Sequence, residues 1–437
     1  MRVSSLLSRS TTALSVLALV SAAACGGAAE MPSTGSPPSL GTPIDPPSTS
    51  PAGPGTGPTT PSKPPIPAQP TGPYSGLVGT TDVSILYPLP SSGEVTSLVR
   101  PSAIGNHGAL FSESLFDSVL GSGGHLERTS SAFPSGYSAL AVIGVRLDPC
   151  GVRKQPGCAS EVRLVLQAIA NDSSASPPGP VALDGGVHVI YEVPADELVT
   201  MQQEILFLKS NNGDVATHEL GVHPILKAQG LGGAFAEGLR NILLFHLGDA
   251  RVAKVTFFDH NMDRESDGWL FANFVRSGAT MVQENIPLTT SSHDLLAGTS
   301  AVAKPISSSR VFESSREIPD DVTAMVASGT TAEPARVAAF EAALRVENPL
   351  RHTAETTTCV NCHLAQGATA LGDLMMLDRS SAFTHARSLA RVDQRTSVTN
   401  LHAFGYLGRQ ISVMQRTANE SVRVAEAMHA AVLKTQK

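Results

Sequence analysis

Cys359-Val360-Asn361-Cys362-His363 is the stretch of this 437-residue chain whose residue types and spacing can do chemistry. Two thiols three positions apart can add to the two vinyl groups of a haem, and an imidazole directly after the second thiol is placed to bind the iron from its proximal side. Cysteines at this spacing also suit a small-loop disulfide or half of a zinc site. Zinc needs further Cys or His at matching spacing, and a thioredoxin-like pair needs a βαβ setting; neither is evident in the sequence. The pentapeptide therefore predicts one covalently attached haem, with Cys359 and Cys362 holding the porphyrin and His363 as an iron ligand.

These five residues resemble the haem-attachment motif of c-type cytochromes. The chain around them, from about Thr331 to residue 437, has a helical composition. Pro334 suits a first helical turn, Val337, Phe340 and Leu344 share one face, and Asn348-Pro349 is a stop. Beyond the motif, Ala382 to Val392 and Val398 to Leu407 are expected as helices. The last helix carries a capping box, Thr417-Ala-Asn-Glu420, and an apolar stripe of Val422, Ala425, Met428 and Val432. A helix before the motif, a methionine well after it and a final amphipathic helix resemble a small class I cytochrome c. That resemblance implies a distal methionine shortly before the last helix, which by position is Met414. Met375, Met376, His385 and His402 are the alternatives, as is an open sixth position.

The resemblance to c-type cytochromes implies haem attachment outside the cytoplasm, and the N-terminus agrees with export. Residues 1–24 carry Arg2 and Arg9, then a short uncharged apolar run, the pattern of a signal peptide and too short for a membrane span. Small residues directly before Cys25 resemble the lipobox of bacterial lipoproteins, which implies an acylated Cys25. Ala22 stands where that family usually has leucine, and Ala22-Ala23-Ala24 also satisfies ordinary secretory cleavage. From residue 25 to 75, Pro, Gly, Ser and Thr dominate with almost no charge, the composition of an extended disordered tether. The expected location is the cell envelope, at the outer membrane or periplasmic face, with the membrane reached through the N-terminal lipid.

Residues 76–320 read as an α+β domain. Val83 to Leu86, Ala139 to Leu147, Val162 to Ile169 and Val187 to Val193 have the composition of strands, and Val252 to Phe258 with Trp269 to Val275 read as a strand pair. Helices are expected from Ala195 to Leu208 and from Ala234 to Leu247. An antiparallel sheet with packed helices, followed by the helical haem module, is the expected architecture. Cys150 and Cys158 bracket a short loop and in an oxidising compartment predict a disulfide, which leaves no thiol over. His218-Glu219 and His223 miss the zinc-helix spacing by one residue, and the acidic run from Asp259 to Asp267 lacks the glycine and glutamate of a calcium loop.

A net charge of −7 excludes nothing about fold but argues against nucleic acid as a partner. Residues 331–437 hold 12 Lys and Arg against 9 Asp and Glu, so a basic module could dock an acidic redox partner protein. The functional expectation is an exported, lipid-anchored monohaem carrier of single electrons. The alternatives are a haem-containing oxidoreductase or a peroxide or gas sensor, and a surface binding lipoprotein with a structural haem or disulfide.

Overall fold

The computed structural model describes residues 78–122, 136–150, 158–174, 177–213, 220–261, 268–289, 293–297, 320–326, 332–385 and 401–435. The expected signal peptide, Cys25, and the tether to residue 75 lie outside them, as do His218 and most of the acidic run. In chain order, helix α1 (Thr80–Val83) runs into strand β1 (Ser84–Leu86). A small hairpin of β2 (Ile104–Gly105) and β3 (Gly108–Ala109) precedes α2 (Glu113–Ser122). The Val-, Ile- and Leu-rich runs become β4 (Leu140–Asp148), β5 (Glu161–Asp172), β6 (Gly179–Ala182) and β7 (Gly185–Glu192). Helices α3 (Ala195–Asn211), α4 (Pro224–Gln229) and α5 (Ala234–His246) follow. Strands β8 (Val252–Asn261), β9 (Gly268–Ser277), β10 (Thr280–Glu284) and β11 (His293–Ala297) complete the main sheet. The remainder holds α6 (Thr323–Val326), α7 (Glu333–Val346), α8 (Cys359–Leu374), a hairpin of β12 (Phe404–Leu407) and β13 (Gln410–Val413), and α9 (Gln415–Thr435).

The sheet runs β1-β4-β5-β7-β8-β9-β10, with β6 added on β5 and β11 on β9, and its paired strands are antiparallel. The architecture is thus the expected α+β class. Cys150 and Cys158, between β4 and β5, are joined in a disulfide with their Cα atoms 5.3 Å apart.

Side chains alternate across a strand, so register assigns each residue to a face. Leu164, Val189, Val255 and Phe274 pair in succession, as do Leu166, Val187, Phe257 and Ala272. This face is apolar and forms one core with Leu198, Met201 and Ile205 of α3 and Phe235, Leu239 and Ile242 of α5. The opposite face is mixed. Its rows are Arg146, Arg163, Ile190 and Lys254; then Gly144, Val165, His188, Thr256 and Asn273; then Gly186, Phe258 and Phe271.

The C-terminal elements lie over that mixed face. Phe258, Trp269 and Phe271 share a core with Phe340 and Leu344 of α7 and with Val360, Leu364 and Ala368 of α8. Phe404, Tyr406 and Val413 of the last hairpin, with Ala425 and Met428 of α9, join the main core. Gln167 on β5 stitches the hairpin down: its amide nitrogen donates to the Tyr406 carbonyl at 2.9 Å and its oxygen accepts from the Tyr406 N–H at 2.8 Å.

Two local expectations are corrected. Phe404–Leu407 is a strand, not the end of a helix begun at Val398. Gly408, at φ 61°, turns the chain between Leu407 and its partner Gln410, the geometry a two-residue hairpin loop requires. Of the other expected helix, Ala382 to Val392, residues 382–385 are not helical and the rest lie outside the described residues. Thr417 and Glu420 do not form a capping box, because α9 has already started at Gln415. Thr417 is buried and donates to the Ala403 carbonyl at 3.0 Å, while Glu420 reaches Arg146 on the sheet at 2.7 Å. Tertiary partners have taken both side chains.

Candidate functional site

The motif forms the first turns of α8. Thr358 is the N-cap, fully buried, and its hydroxyl accepts from the Asn361 N–H at 3.3 Å, satisfying one of the donors a helix start leaves unpaired. Asn361 fixes the helix from outside: its side chain donates to the Asp320 carbonyl at 3.0 Å and accepts from the Val322 N–H at 3.4 Å. Val360, Leu364 and Ala368, four residues apart along the inner face, are buried with α7. Cys359, Cys362 and His363 line a cavity between α8 and the mixed face of the sheet.

His363 donates from Nδ1 to the Leu401 carbonyl; as a carbonyl only accepts, Nδ1 carries the hydrogen. Burial lowers its pKa, partly offset by that hydrogen bond, so the ring is a neutral imidazole with its lone pair on Nε2. This is the tautomer a metal-binding histidine adopts when its other nitrogen is held by a backbone carbonyl. The ring sits 4.9 Å from Phe271 and 5.6 Å from Phe258, centroid to centroid. Cys359 and Cys362 are half-buried and are not joined in a disulfide. Burial pushes the Cys362 thiol up, towards the neutral form.

Met414 lines the same cavity and is 3 % exposed. It is fixed by its own backbone, its N–H on the Ala403 carbonyl at 2.9 Å and its carbonyl accepting from Ala418 at 3.1 Å. The other candidates are placed differently. Met376, at the end of α8, is 91 % exposed, and Met375 beside it is also exposed. His385 pairs with Glu426 at 2.8 Å, and His402 is buried against Phe258 and Trp269 with Asp184 at 3.2 Å. Cys359, Cys362, His363 and Met414 are therefore brought together from α8 and the residue just before α9.

Sequence reasoning missed the sheet's contribution. Arg146, Arg163, His188 and Lys254 line the cavity from β4, β5, β7 and β8. His188 is held neutral, first by burial and then by the nearby Arg163, His363 and Arg146. Glu420 enters from α9; burial alone would raise its pKa, but Arg146 and Arg416 outweigh that and hold it at about 2. The available signal was a charged residue in each of two Val- and Leu-rich strands, Arg146 in β4 and Arg163 in β5. Such residues mark a second face that is covered but not apolar.

The donor set suits a haem with two thioether-forming cysteines and an axial imidazole, and the orphaned Nε of Arg163, buried without a hydrogen-bond partner, suits a group that brings carboxylates. The cavity measures about 170 Å³ and is partly open to solvent, so its walls must part to seat a porphyrin. Among the described residues no group of three or more His, Cys, Asp or Glu is arranged to hold a bare metal ion, and no helix is long and apolar enough to cross a membrane. Compared with known protein families, curated proteins and solved structures, the chain matches none.

Proposed function

We propose that the protein is an exported, lipid-anchored monohaem c-type cytochrome that carries single electrons at the cell envelope. The observation that carries the reading is the convergence of Cys359, Cys362, His363 and Met414 on one cavity, with His363 Nδ1 engaged by the Leu401 carbonyl. A haem bound there supplies an iron that cycles between two oxidation states. Cys359 and Cys362 would hold it through thioethers, His363 would bind the iron through Nε2, and Met414 would offer its sulfur as a further ligand. Phe258, Phe271 and Phe404 give the cavity part of its apolar lining. On this reading residues 331–437 form a haem module related to class I cytochromes in order of parts, with the hairpin β12–β13 as its own addition. Residues 76–320 act as its platform.

One feature favours a second reading, a haem-containing oxidoreductase or a sensor of peroxide or gas. His188, a neutral imidazole in the same cavity, can hydrogen-bond a bound molecule, although burial and the nearby cations disfavour its protonation. Carbon monoxide separates the two. For the carrier, the reduced holoprotein shows no carbon monoxide shift, the oxidised form shows a weak long-wavelength sulfur-to-iron band, and Met414→Ala abolishes the band and admits carbon monoxide. A wild-type spectrum that shifts with carbon monoxide would replace the carrier with the catalyst or sensor.

A further inference from the structure

Arg163 and Arg146 are direct partners across β5 and β4 on the face that floors the cavity, and like charges placed opposite each other in a sheet repel. Arg146 has an answer to its charge, with Nη2 on Glu420 at 2.7 Å. Arg416 is also satisfied, donating to the carbonyls of Val346 at 2.9 Å and His352 at 2.7 Å. Arg163 is not. Its Nε is buried with no hydrogen-bond partner, its ion pair with Glu161 is a loose 4.0 Å contact, and Glu420, whose carboxylate also feels Arg163, is bonded to Arg146. Glu161 is itself a weak counter-ion, since burial pushes its carboxyl up. Lys254 stands two strands away in the same row, beyond Ile190. A guanidinium left in this state, opposite a second one and with an ammonium two strands along the same row, suits an oxyanion with two acceptors in its plane.

We infer that Arg163, supported by Arg146 and Lys254, is an oxyanion site that takes the propionate carboxylates of the haem, making the sheet of residues 76–320 the positioning element for the cofactor. This rests on the haem reading above. The site explains why the strands beneath a haem-attachment helix carry basic residues on a covered face. Arg163 acts here as a positioning residue, through charge and hydrogen bonding to the edge of the porphyrin.

The test is a redox titration of the holoprotein, comparing wild type with Arg163→Gln and Arg163→Lys. Removing a cation beside the cofactor favours the ferric state, so Arg163→Gln is expected to lower the midpoint potential, Arg163→Lys to restore most of it, and both to keep the wild-type content of covalent haem. An unchanged potential in Arg163→Gln, at wild-type haem content, would overturn the inference. Should Arg163→Gln not fold, Lys254→Gln reads the same field; a smaller downward shift supports the site and no shift removes it. Sulfate added at constant ionic strength should leave the wild-type potential alone. A sulfate-dependent shift that is lost in Arg163→Lys would assign the site to free oxyanions and overturn the propionate assignment. A wild-type chain without covalent haem would instead overturn the cofactor reading, and this inference with it.

Discussion

At the scale of single residues, Glu420 shows how the cavity wall is charged. It is a carboxylate on α9 that answers Arg146 at 2.7 Å and Arg416 at 3.7 Å, and those two guanidiniums outweigh the cost of burying it. Its pKa of about 2 in the fold lies below the ordinary glutamate value, so the folded state favours the ionised form more than the unfolded chain does. The stability this contributes is fully present above the unfolded glutamate range and is lost as pH falls through that range towards 2. Urea denaturation followed from pH 7 downward is expected to show this loss in the wild type. In Glu420→Gln the acid-dependent part should be smaller, while stability at pH 7 is already reduced because Arg146 is left without its carboxylate. Equal pH profiles for the two proteins would show that the ion pair does not act this way. His363 makes a complementary point: its neighbours in sequence suggest a haem-ligand role, but its tautomer is set by Leu401, a residue distant in the chain.

At the scale of elements, the hairpin β12–β13 decides how the cavity is closed. Phe404 lies directly over Gly144, and a Cβ at that position would come within 2.8 Å of the ring. Gly144 also follows the register shift between β4 and β5 at Val142/Gly144, where the strand bends under the hairpin. Gly144→Val is expected to destabilise the protein by about 1–3 kcal/mol through overpacking and to lift Phe404 from the cavity wall, read as a lower denaturation midpoint. Gly93→Ala, where an added Cβ meets nothing within 4 Å, serves as the control and should be near neutral. The hairpin also shows where sequence reading stops. The long strands and helices α3 and α5 were legible because their apolar periods are local and span several turns or alternations. Phe404-Gly405-Tyr406-Leu407 is too short to show a period, and it is strand because Gln167 and the sheet face supply partners for its backbone. Arg146 and Arg163 stood out singly in their strands, but that they pair, with Lys254 further along the same row, was illegible because strand pairing alone sets it.

At the scale of the whole molecule, one antiparallel sheet is covered on both sides, by α3 and α5 on its apolar face and by α7, α8 and the last hairpin on its mixed face. The candidate site lies between the sheet and that second cover, so every strand from β4 to β8 that crosses beneath it contributes a side chain to the cavity except the edge strand β6. This arrangement gives residues 76–320 a physical task in the proposed electron carrier: they present the charged floor on which a haem held by Cys359 and Cys362 would rest. A pyridine haemochrome spectrum tests this account most directly, taken on protein made in a host with haem-attachment machinery and compared with the Cys359→Ser/Cys362→Ser variant. The account predicts one covalent haem per chain in the wild type and none that survives acid extraction in the variant. A folded wild-type chain with no covalent haem would contradict it.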